Sequence, residues 1–471
     1  MARISDPALR SQWLHGEIAV VGMARSGRAA AQLLARAGSE VYASDAGRSA
    51  ELEATALELH ADQIDVQLGG HDLGRIAKSS LVVASPGVPP DSPPFVAARK
   101  AGVDIVSEIE IGLRFLPRLA YIAVTGTNGK TTTTAMIGHL LQAIGKRAAT
   151  AGNIGTPLTE LAMLPTPPDW VALEVSSFQL HDSPSINPNV GVLTNLSANH
   201  LDRYDTATEY YADKALLFRN ATPASHWVTN ADDSDVQSMT EGIAGMQCRF
   251  SVARRSDAYY DRESGKLVVL GHPLISRDDL PLVGSHNVAN ALAAALAVMI
   301  ADRANRTDRS LEMMANGLKT FQPLEHRIEP VGDFGGVRWI NDSKSTNVAS
   351  TLVAMRGMTQ PTVLLLGGKH KGEPYTDLIP ELKRTGRGVI AYGEAAALIE
   401  GDLAAALGGA VPVTRLAGGG SFDDVVATAR AMAKPGDVVL LSPACSSYDM
   451  FDNYEQRGAQ FKLLAARGRA E

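Results

Sequence analysis

Cysteine is nearly absent from this chain: Cys248 and Cys445 are the only two in 471 residues, and they stand far apart. Their spacing suits neither a disulfide framework nor a zinc site, so a reducing compartment, the cytoplasm, is expected. Aromatic side chains are also scarce, at 5%. Ala, Gly, Val and Leu dominate instead, a balance that suits layered α/β structure better than an all-β sandwich. No Lys/Arg-rich block stands out and the net charge is −7 at pH 7, so a nucleic-acid partner would lack the basic face that displaces counterions. Long hydrophobic runs are missing too. The longest, ALAAALAVMIA at 291–301, is too short to cross a bilayer and reads as a buried helix. The opening MARISDPALRSQWLHG has an early Asp and no apolar stretch, unlike a secretory signal.

What is present is ordinary globular material, 45% apolar and 20% charged, in a length that suits roughly two to four domains. Short runs rich in Val, Ile and Leu alternate with segments of helical period. EIAVVG (17–22), EVYAS (40–44), LVVAS (81–85), YIAVT (121–125), VALEV (171–175) and GVLTN (191–195) read as buried strands. VRWIN (337–341), TVLLLG (362–367), GVIAY (388–392) and DVVLLS (437–442) continue the series. Near-continuous apolar strands separated by helices indicate parallel sheets covered on both faces. The strands fall into three groups, giving expected domains at 1–108, 109–323 and 324–471, with the second boundary at Gln322-Pro323. The more polar stretch at 245–282 is expected to carry a small β-rich excursion of the central domain.

Two strand-to-helix turns carry chemistry. TGTNGKTTTTAMIGHLLQAIG follows YIAVT, and Met136, Ile137, Leu140, Leu141 and Ile144 recur at helical spacing, with Gly145 placed as a C-terminal cap. Strand, glycine loop, Lys-Thr and helix form the setting of a phosphate loop. Gly126 and Gly129 let backbone N–H groups turn onto phosphate oxygens, the helix N-terminus adds partial positive charge, Lys130 neutralises the β/γ-phosphates, and the Thr131 hydroxyl can ligate Mg²⁺. The usual pattern has a further glycine where Val124 stands. The other turn, GMARSGRAAAQLLARAG, follows EIAVVG and precedes a strand ending in Asp45. Gly22 and Gly27 occupy the first and third places of a dinucleotide fingerprint, but Ala24 holds the middle one, and its methyl would crowd a pyrophosphate. A nucleotide held less intimately fits better than NAD. Ser85-Pro86-Gly87 ends another strand and falls on the same sheet edge.

Glu174 lies within the apolar strand VALEV, where an unpaired carboxylate is costly. Beside a phosphate loop, Mg²⁺ is a natural partner, and an arginine pair is the alternative. His200 follows another strand end and reads as a structural histidine or a ligand. Lys214, in TATEYYADKALLF, reads from composition as a solvated lysine.

GTNGKT at 126–131, GNIG at 152–155, LEVSSFQL at 173–180 and HLDRY at 200–204 together resemble the Mur ligase family. INDSKSTN at 340–347, GGKHKG at 367–372 and LSPACSSYDMFDNYEQRG at 441–458 are similar to its glutamate-adding branch. The resemblance runs through the whole chain. It implies an N-terminal Rossmann-like UDP-binding domain, a central P-loop ATPase-like domain and a C-terminal Rossmann-like domain. The implied activity is ATP-dependent amide-bond formation, adding D-glutamate to UDP-N-acetylmuramoyl-L-alanine through an acyl phosphate. That places the chain in cytoplasmic peptidoglycan precursor synthesis, and so in cell-wall biogenesis, cell shape and division.

By the same resemblance Lys130, Glu174, His200 and Lys214 are catalytic. Thr131, Glu174, His200 and Lys214 serve two Mg²⁺ ions, with Lys214 carrying a CO₂-derived carbamate. ATP meets Gly126, Thr127, Asn128, Gly129, Lys130, Thr131, Thr132, Asn287, Asn290, Arg327 and Asp342. The UDP substrate meets Ala24, Arg25, Asp45, Ser85, Gly87, Asn153 and Ser176, and glutamate meets His200, Thr346, Lys371, Ser447 and Tyr454. Asn199 stands where an Asp often precedes the histidine, and Tyr454 where Phe is also found. No nucleic-acid or membrane partner is implied, and the expected state is a monomer. Two alternatives stay open: a ligase of the same family using L-glutamate, and a nucleotide-binding protein without catalysis. The second predicts damage among Lys130, Glu174, His200 and Lys214, and all four are present.

Overall fold

The computed structural model describes residues 16–197, 199, 204, 206–282, 284–322, 325–416 and 420–467. They form three sheets. The first joins β1 (Ile18–Val21), β2 (Val41–Asp45), β3 (Asp65–Leu68), β4 (Leu81–Ala84) and β5 (Ile105–Ser107) in the order β3-β2-β1-β4-β5. All four pairings are parallel. Strands β1 and β4 are buried along their whole length, as apolar strands covered on two faces must be.

The second sheet has nine strands: β6 (Ala120–Thr125), β7 (Ala148–Gly152), β8 (Trp170–Glu174), β9 (Val190–Leu193), β10 (His226–Asn230), β11 (Met246–Ser251), β12 (Ala258–Asp261), β13 (Lys266–Val269) and β14 (His272–Ser276). Their order is β14-β13-β12-β11-β10-β9-β6-β8-β7. The polar stretch expected to be β-rich supplies β11 to β14, and its last two pairings are antiparallel. The apolar run at 291–301 lies inside the helix Ser285–Ala301, which is buried from Ala291 to Ile300. The third sheet holds β15 (Glu329–Phe334), β16 (Val337–Asn341), β17 (Thr362–Gly367), β18 (Gly386–Tyr392), β19 (Val413–Arg415) and β20 (Val438–Leu441), in the order β15-β16-β20-β17-β18-β19. Only the β15–β16 pairing is antiparallel within it.

Two compact units result. The first runs to Leu196, takes in Thr208–Leu280 and Asn287–Thr320, and holds the first two sheets; the second, with the chain from Phe321 onward, holds the third. Of the sequence boundary at Gln322-Pro323, Pro323 lies outside the described residues. No helix among the described residues is long and apolar enough to cross a membrane.

Within the first unit, the helix Glu108–Phe115 joins the two sheets. Ser107 caps it by accepting from the Glu110 N–H, and its hydroxyl meets Ser183 at 2.7 Å. Glu110 accepts from the Ser185 N–H at 2.9 Å and from Arg114 at 2.6 Å. Glu108 accepts from the backbone N–H and hydroxyl of Thr159, at 2.6 and 2.7 Å. Thr159 opens the helix Leu158–Ala162, whose N-cap residue, Pro157, has no side chain that could cap it. Glu108 therefore supplies from another element the acceptor that a helix start needs.

Burial pushes the Glu108 carboxyl up to about 7, against the opposing pull of the Thr159 donors. A folded-state value above the unfolded one means that the native state holds the proton longer, so this group's contribution to stability falls as pH rises from about 4.5 to about 7. Relative to wild type, Glu108→Gln is expected to gain about 3 kcal/mol across that window, at about 1.4 kcal/mol per unit. Urea titrations of both proteins at pH 4.5 and pH 8 measure it; a pH-independent difference would show that Glu108 titrates normally.

Candidate active site

The carboxyl ends of β6, β8 and β9 converge because these strands are neighbours in the second sheet, with β6 in the middle. The loop after β6 enters the helix Lys130–Ala143, whose N-cap, Gly129, adopts a left-handed conformation (φ 81°) without a side-chain cap. The first N–H groups of this helix thus receive no capping side chain, as phosphate binding requires. Gly126 has φ 138°, and a Cβ there would lie 2.0 Å from the Thr194 hydroxyl. Val124, where the usual pattern has glycine, is a fully buried β6 residue paired with Glu174 on β8. Here that position belongs to the strand, and the loop begins after it.

The loop is braced from β9. Asn195 accepts from the Asn128 N–H through its side chain and from the Thr127 N–H through its carbonyl, both at 2.8 Å, and its amide donates to the Asn128 carbonyl at 2.8 Å. The Thr194 hydroxyl donates to the same carbonyl at 2.6 Å. The Lys130 ammonium lies over its own loop, donating to the carbonyls of Gly126 and Thr127 at 3.0 and 2.8 Å. On the other side, Asn290 accepts from Thr133 at 3.2 Å and donates to Asn287 at 3.1 Å. Thr131 and Thr132 are buried at the helix start, and the Thr132 hydroxyl has no hydrogen-bond partner among the described residues.

Glu174 ends β8 and is 1% exposed. One carboxylate oxygen accepts from the Asn153 amide at 2.8 Å; the other is buried with no hydrogen-bond partner among the described residues. Lys214, in the helix Ala207–Ala215, is equally buried, and its ammonium sits 4.4 Å from the centre of the Tyr210 ring. Burial, reinforced by the Lys130 charge, holds its pKa well below the ordinary lysine value against the attraction of Glu174 and Asp213. The sequence alone made Lys214 a solvated lysine, and the packing of its helix reverses that. His200 lies outside the described residues, while the neighbouring Asn199 is buried.

At the carboxyl edge of the first sheet, Ala24 and Arg25 open the helix Arg25–Arg36, which has no capping side chain. Asp45 accepts from the N–H groups of Met23 and Gly47, both at 2.8 Å, so both its oxygens shape the turn. Ser85 donates to the Gly22 carbonyl at 2.8 Å, next to Gly87. Ser176 caps the helix Ser177–His181 in a capping box with Gln179, which engages its hydroxyl.

In the second unit, Asp342 is buried and accepts from Ser345 (2.6 Å), Ser442 (2.7 Å) and the Ile328 N–H (3.1 Å), while burial raises its carboxyl to about 6. Arg327 stands between two residues at positive φ, His326 (63°) and Ile328 (44°), and its buried Nε has no partner among the described residues. Lys371 donates to the Thr346 hydroxyl at 3.1 Å. Tyr454 begins the helix Tyr454–Arg467, with the Lys344 ammonium 5.1 Å from its ring centre. Ser447 lies buried in the loop after β20. Sequence reasoning passed over Thr194 and Asn195, although they end a strand beside the phosphate loop, and Arg457, which sits inside the motif at 441–458. Arg457 is fully buried and donates to the carbonyls of Ser343 (2.8 Å) and Cys445 (3.2 Å).

Fold and site define a phosphate-loop enzyme class built from α/β sheets. Three family models match in chain order: Mur ligase MurD-like, N-terminal domain over 16–107, Mur ligase middle domain over 124–298, and Mur ligase, glutamate ligase domain over 326–445. The chain belongs to the Mur ligase family. The UDP-N-acetylmuramoylalanine–D-glutamate ligase of Salinibacter ruber is 39% identical over 462 residues, covering 94% of this chain and 96% of that protein. The ligase of the same name from Myxococcus xanthus is 39% identical over 461 residues, covering 95% and 97%. Among solved structures, the UDP-N-acetylmuramate-alanine ligase MurC of Thermotoga maritima superposes with a TM-score of 0.61 at 20% identity, covering 96% of this chain and 100% of that one. The MurF ligase of Thermotoga maritima in complex with ADP gives 0.58 at 16%, covering 91% and 96%. These two show the shared fold.

Asn195→Ala removes two hydrogen bonds from the phosphate loop without touching the core. At about 1 kcal/mol each, it is expected to weaken ADP binding by about tenfold or more in calorimetry, with the melting temperature little changed. Wild-type affinity in the variant would show that the loop needs no brace.

Proposed function

We infer that this chain catalyses ATP-dependent addition of D-glutamate to UDP-N-acetylmuramoyl-L-alanine, a step of peptidoglycan precursor synthesis. The activity is that named for its relatives at 39% identity over nearly the full length of both chains. The observation that carries the chemistry is the phosphate loop set beside a buried, half-satisfied carboxylate, Glu174, and a buried lysine, Lys214.

A carboxylate is a poor electrophile. Transfer of the γ-phosphoryl group of ATP to it gives an acyl phosphate, and the glutamate amine then displaces phosphate through a tetrahedral intermediate. Lys130, now over the carbonyls of its own loop, would swing onto the β- and γ-phosphates, whose oxygens gather charge as the bond breaks. The open N-terminus of the helix Lys130–Ala143 orients the nucleotide phosphates, and Asn287 and Asn290 would meet the adenine.

The bare oxygen of Glu174 and the buried hydroxyl oxygens at the helix start fit a hard divalent cation. Thr131, Glu174 and His200 would hold Mg²⁺, which when bound supplies charge neutralisation for phosphoryl transfer. Lys214 fits carbamylation, because burial disfavours its charged form and so favours the neutral, nucleophilic amine. Addition to CO₂ forms an N–C bond and releases a proton, leaving an anion suited to a second ion.

We propose functional domains at 1–108, 109–323 and 324–471, binding the UDP substrate, ATP and glutamate. Ala24, Arg25, Asp45, Ser85 and Gly87 would face the UDP group, with Asn153 and Ser176 nearer the reacting carboxylate. Arg327 and Asp342 would meet the nucleotide. Thr346, Lys371, Ser447 and Tyr454 would receive glutamate, whose two carboxylates match the Lys371 cation.

Phosphate release with Mg-ATP and UDP-N-acetylmuramoyl-L-alanine is expected with D-glutamate and not with L-glutamate, meso-diaminopimelate or L-lysine. Preference for L-glutamate would keep the mechanism and change the product. Silence with all four, from folded protein that binds ATP, would leave a nucleotide-binding protein without catalysis. Lys214→Ala is expected to lose activity and regain part of it with short carboxylic acids; full activity in the unsupplemented variant would remove Lys214 from the mechanism.

A further inference from the structure

Two loops of the second unit, 367–372 after β17 and 442–447 after β20, carry Lys371 and Ser447. They are joined by backbone bonds: Gly367 donates to the Pro443 carbonyl at 3.0 Å, Lys369 donates to the Ser446 carbonyl at 2.9 Å, and Ser446 donates back at 3.1 Å. Gly368 allows this approach: it has φ 130°, and a Cβ there would lie 2.2 Å from the Ser446 carbonyl oxygen. Lys369 carries the last of these bonds, and Lys371 lies two residues beyond it.

A side-chain attachment stands next to Lys369. Tyr375 is 1% exposed, and its hydroxyl lies 3.0 Å from Nδ1 of His370 and 2.9 Å from Sγ of Cys445. Its backbone is held in turn, with its N–H donating to Asp402 at 3.0 Å. On the other side of Cys445, the buried Arg457 guanidinium holds the Cys445 carbonyl. We propose that Tyr375 is a positioning residue for the amino-acid substrate: its hydroxyl ties His370 to Cys445, holds the segment beyond Lys369, and so presents Lys371 and Ser447 at a set separation to the substrate's two carboxylates. This rests on the ligase reading above and extends it to a residue outside the expected pocket.

The Tyr375 hydroxyl is the centre of this relay. Burial pushes the Cys445 thiol up to about 11, so it keeps its proton. A phenol can donate to one of these partners while accepting from the other, so one hydroxyl engages both. A phenylalanine would fill the same space but leave a buried thiol and a ring nitrogen without their partner, which costs more than the bond is worth. Recognition of two carboxylates by fixed groups depends on placement within a fraction of an ångström, so a loosened loop weakens substrate binding before it disturbs phosphoryl transfer.

The test is steady-state kinetics on the full chain, with D-glutamate varied at saturating Mg-ATP and UDP-N-acetylmuramoyl-L-alanine. Tyr375→Phe is expected to raise the KM for D-glutamate by about five- to tenfold, with kcat and the KM values of the other two substrates within about twofold. His370→Ala should act in the same direction, and the double variant should be no worse than the worse single one, because both cut one relay. An unchanged KM for D-glutamate in folded Tyr375→Phe, or effects that add in the double variant, would overturn the proposal. If Tyr375→Phe does not fold, His370→Ala and Cys445→Ala cut the relay at its two ends: a raised KM in both supports it, and an unchanged KM in either overturns it. A wild-type protein inactive with D-glutamate would overturn the ligase reading as well, whereas an active wild type with an insensitive variant removes the relay alone.

Discussion

A carboxylate taken out of water with only one oxygen hydrogen-bonded is the constraint around which the central sheet is arranged. Glu174 holds that position at the end of β8. An ionised group left so is expensive, and it persists in a folded protein where a cation completes it. The strand order places β6 between β8 and β9, so the phosphate loop has the carboxylate on one flank and the Thr194-Asn195 brace on the other. The same desolvation acts oppositely on Lys214, whose charge it disfavours. One dry sheet edge thus holds a carboxylate with one bare oxygen and an amine whose charged form burial disfavours.

Around that edge, much of the remaining architecture fixes loops. The helix Glu108–Phe115 uses two buried carboxylates, Glu108 and Glu110, to hold the first sheet against elements of the second. The helix that Glu108 caps follows the segment carrying Asn153, which bonds Glu174. In the second unit Asp342 and Arg457 do similar work on backbone and hydroxyl groups.

Most core strands were legible because a strand buried on both faces must be an apolar run, and ten such runs coincide with observed strands to within a residue or two. The short β3, β5 and β19 escaped notice, since runs of three or four residues are too short to make a pattern. The phosphate loop was legible because glycine, lysine and threonine at fixed spacing answer to the local geometry of one turn. Val124 was read against a longer loop pattern, and the strand pairing shows that it lies in β6.

The sequence by itself determined the layered α/β class, the phosphate loop and, through motifs spread over three segments, membership of the Mur ligase family. Those features are local: a few consecutive residues set each one. Only the tertiary structure decided that Lys214 is buried rather than solvated, that Asn195 braces the loop, and that Tyr375 joins His370 to Cys445. Each depends on desolvation or on a partner tens of residues distant in the chain, and burial is a property of packed elements that no single segment carries.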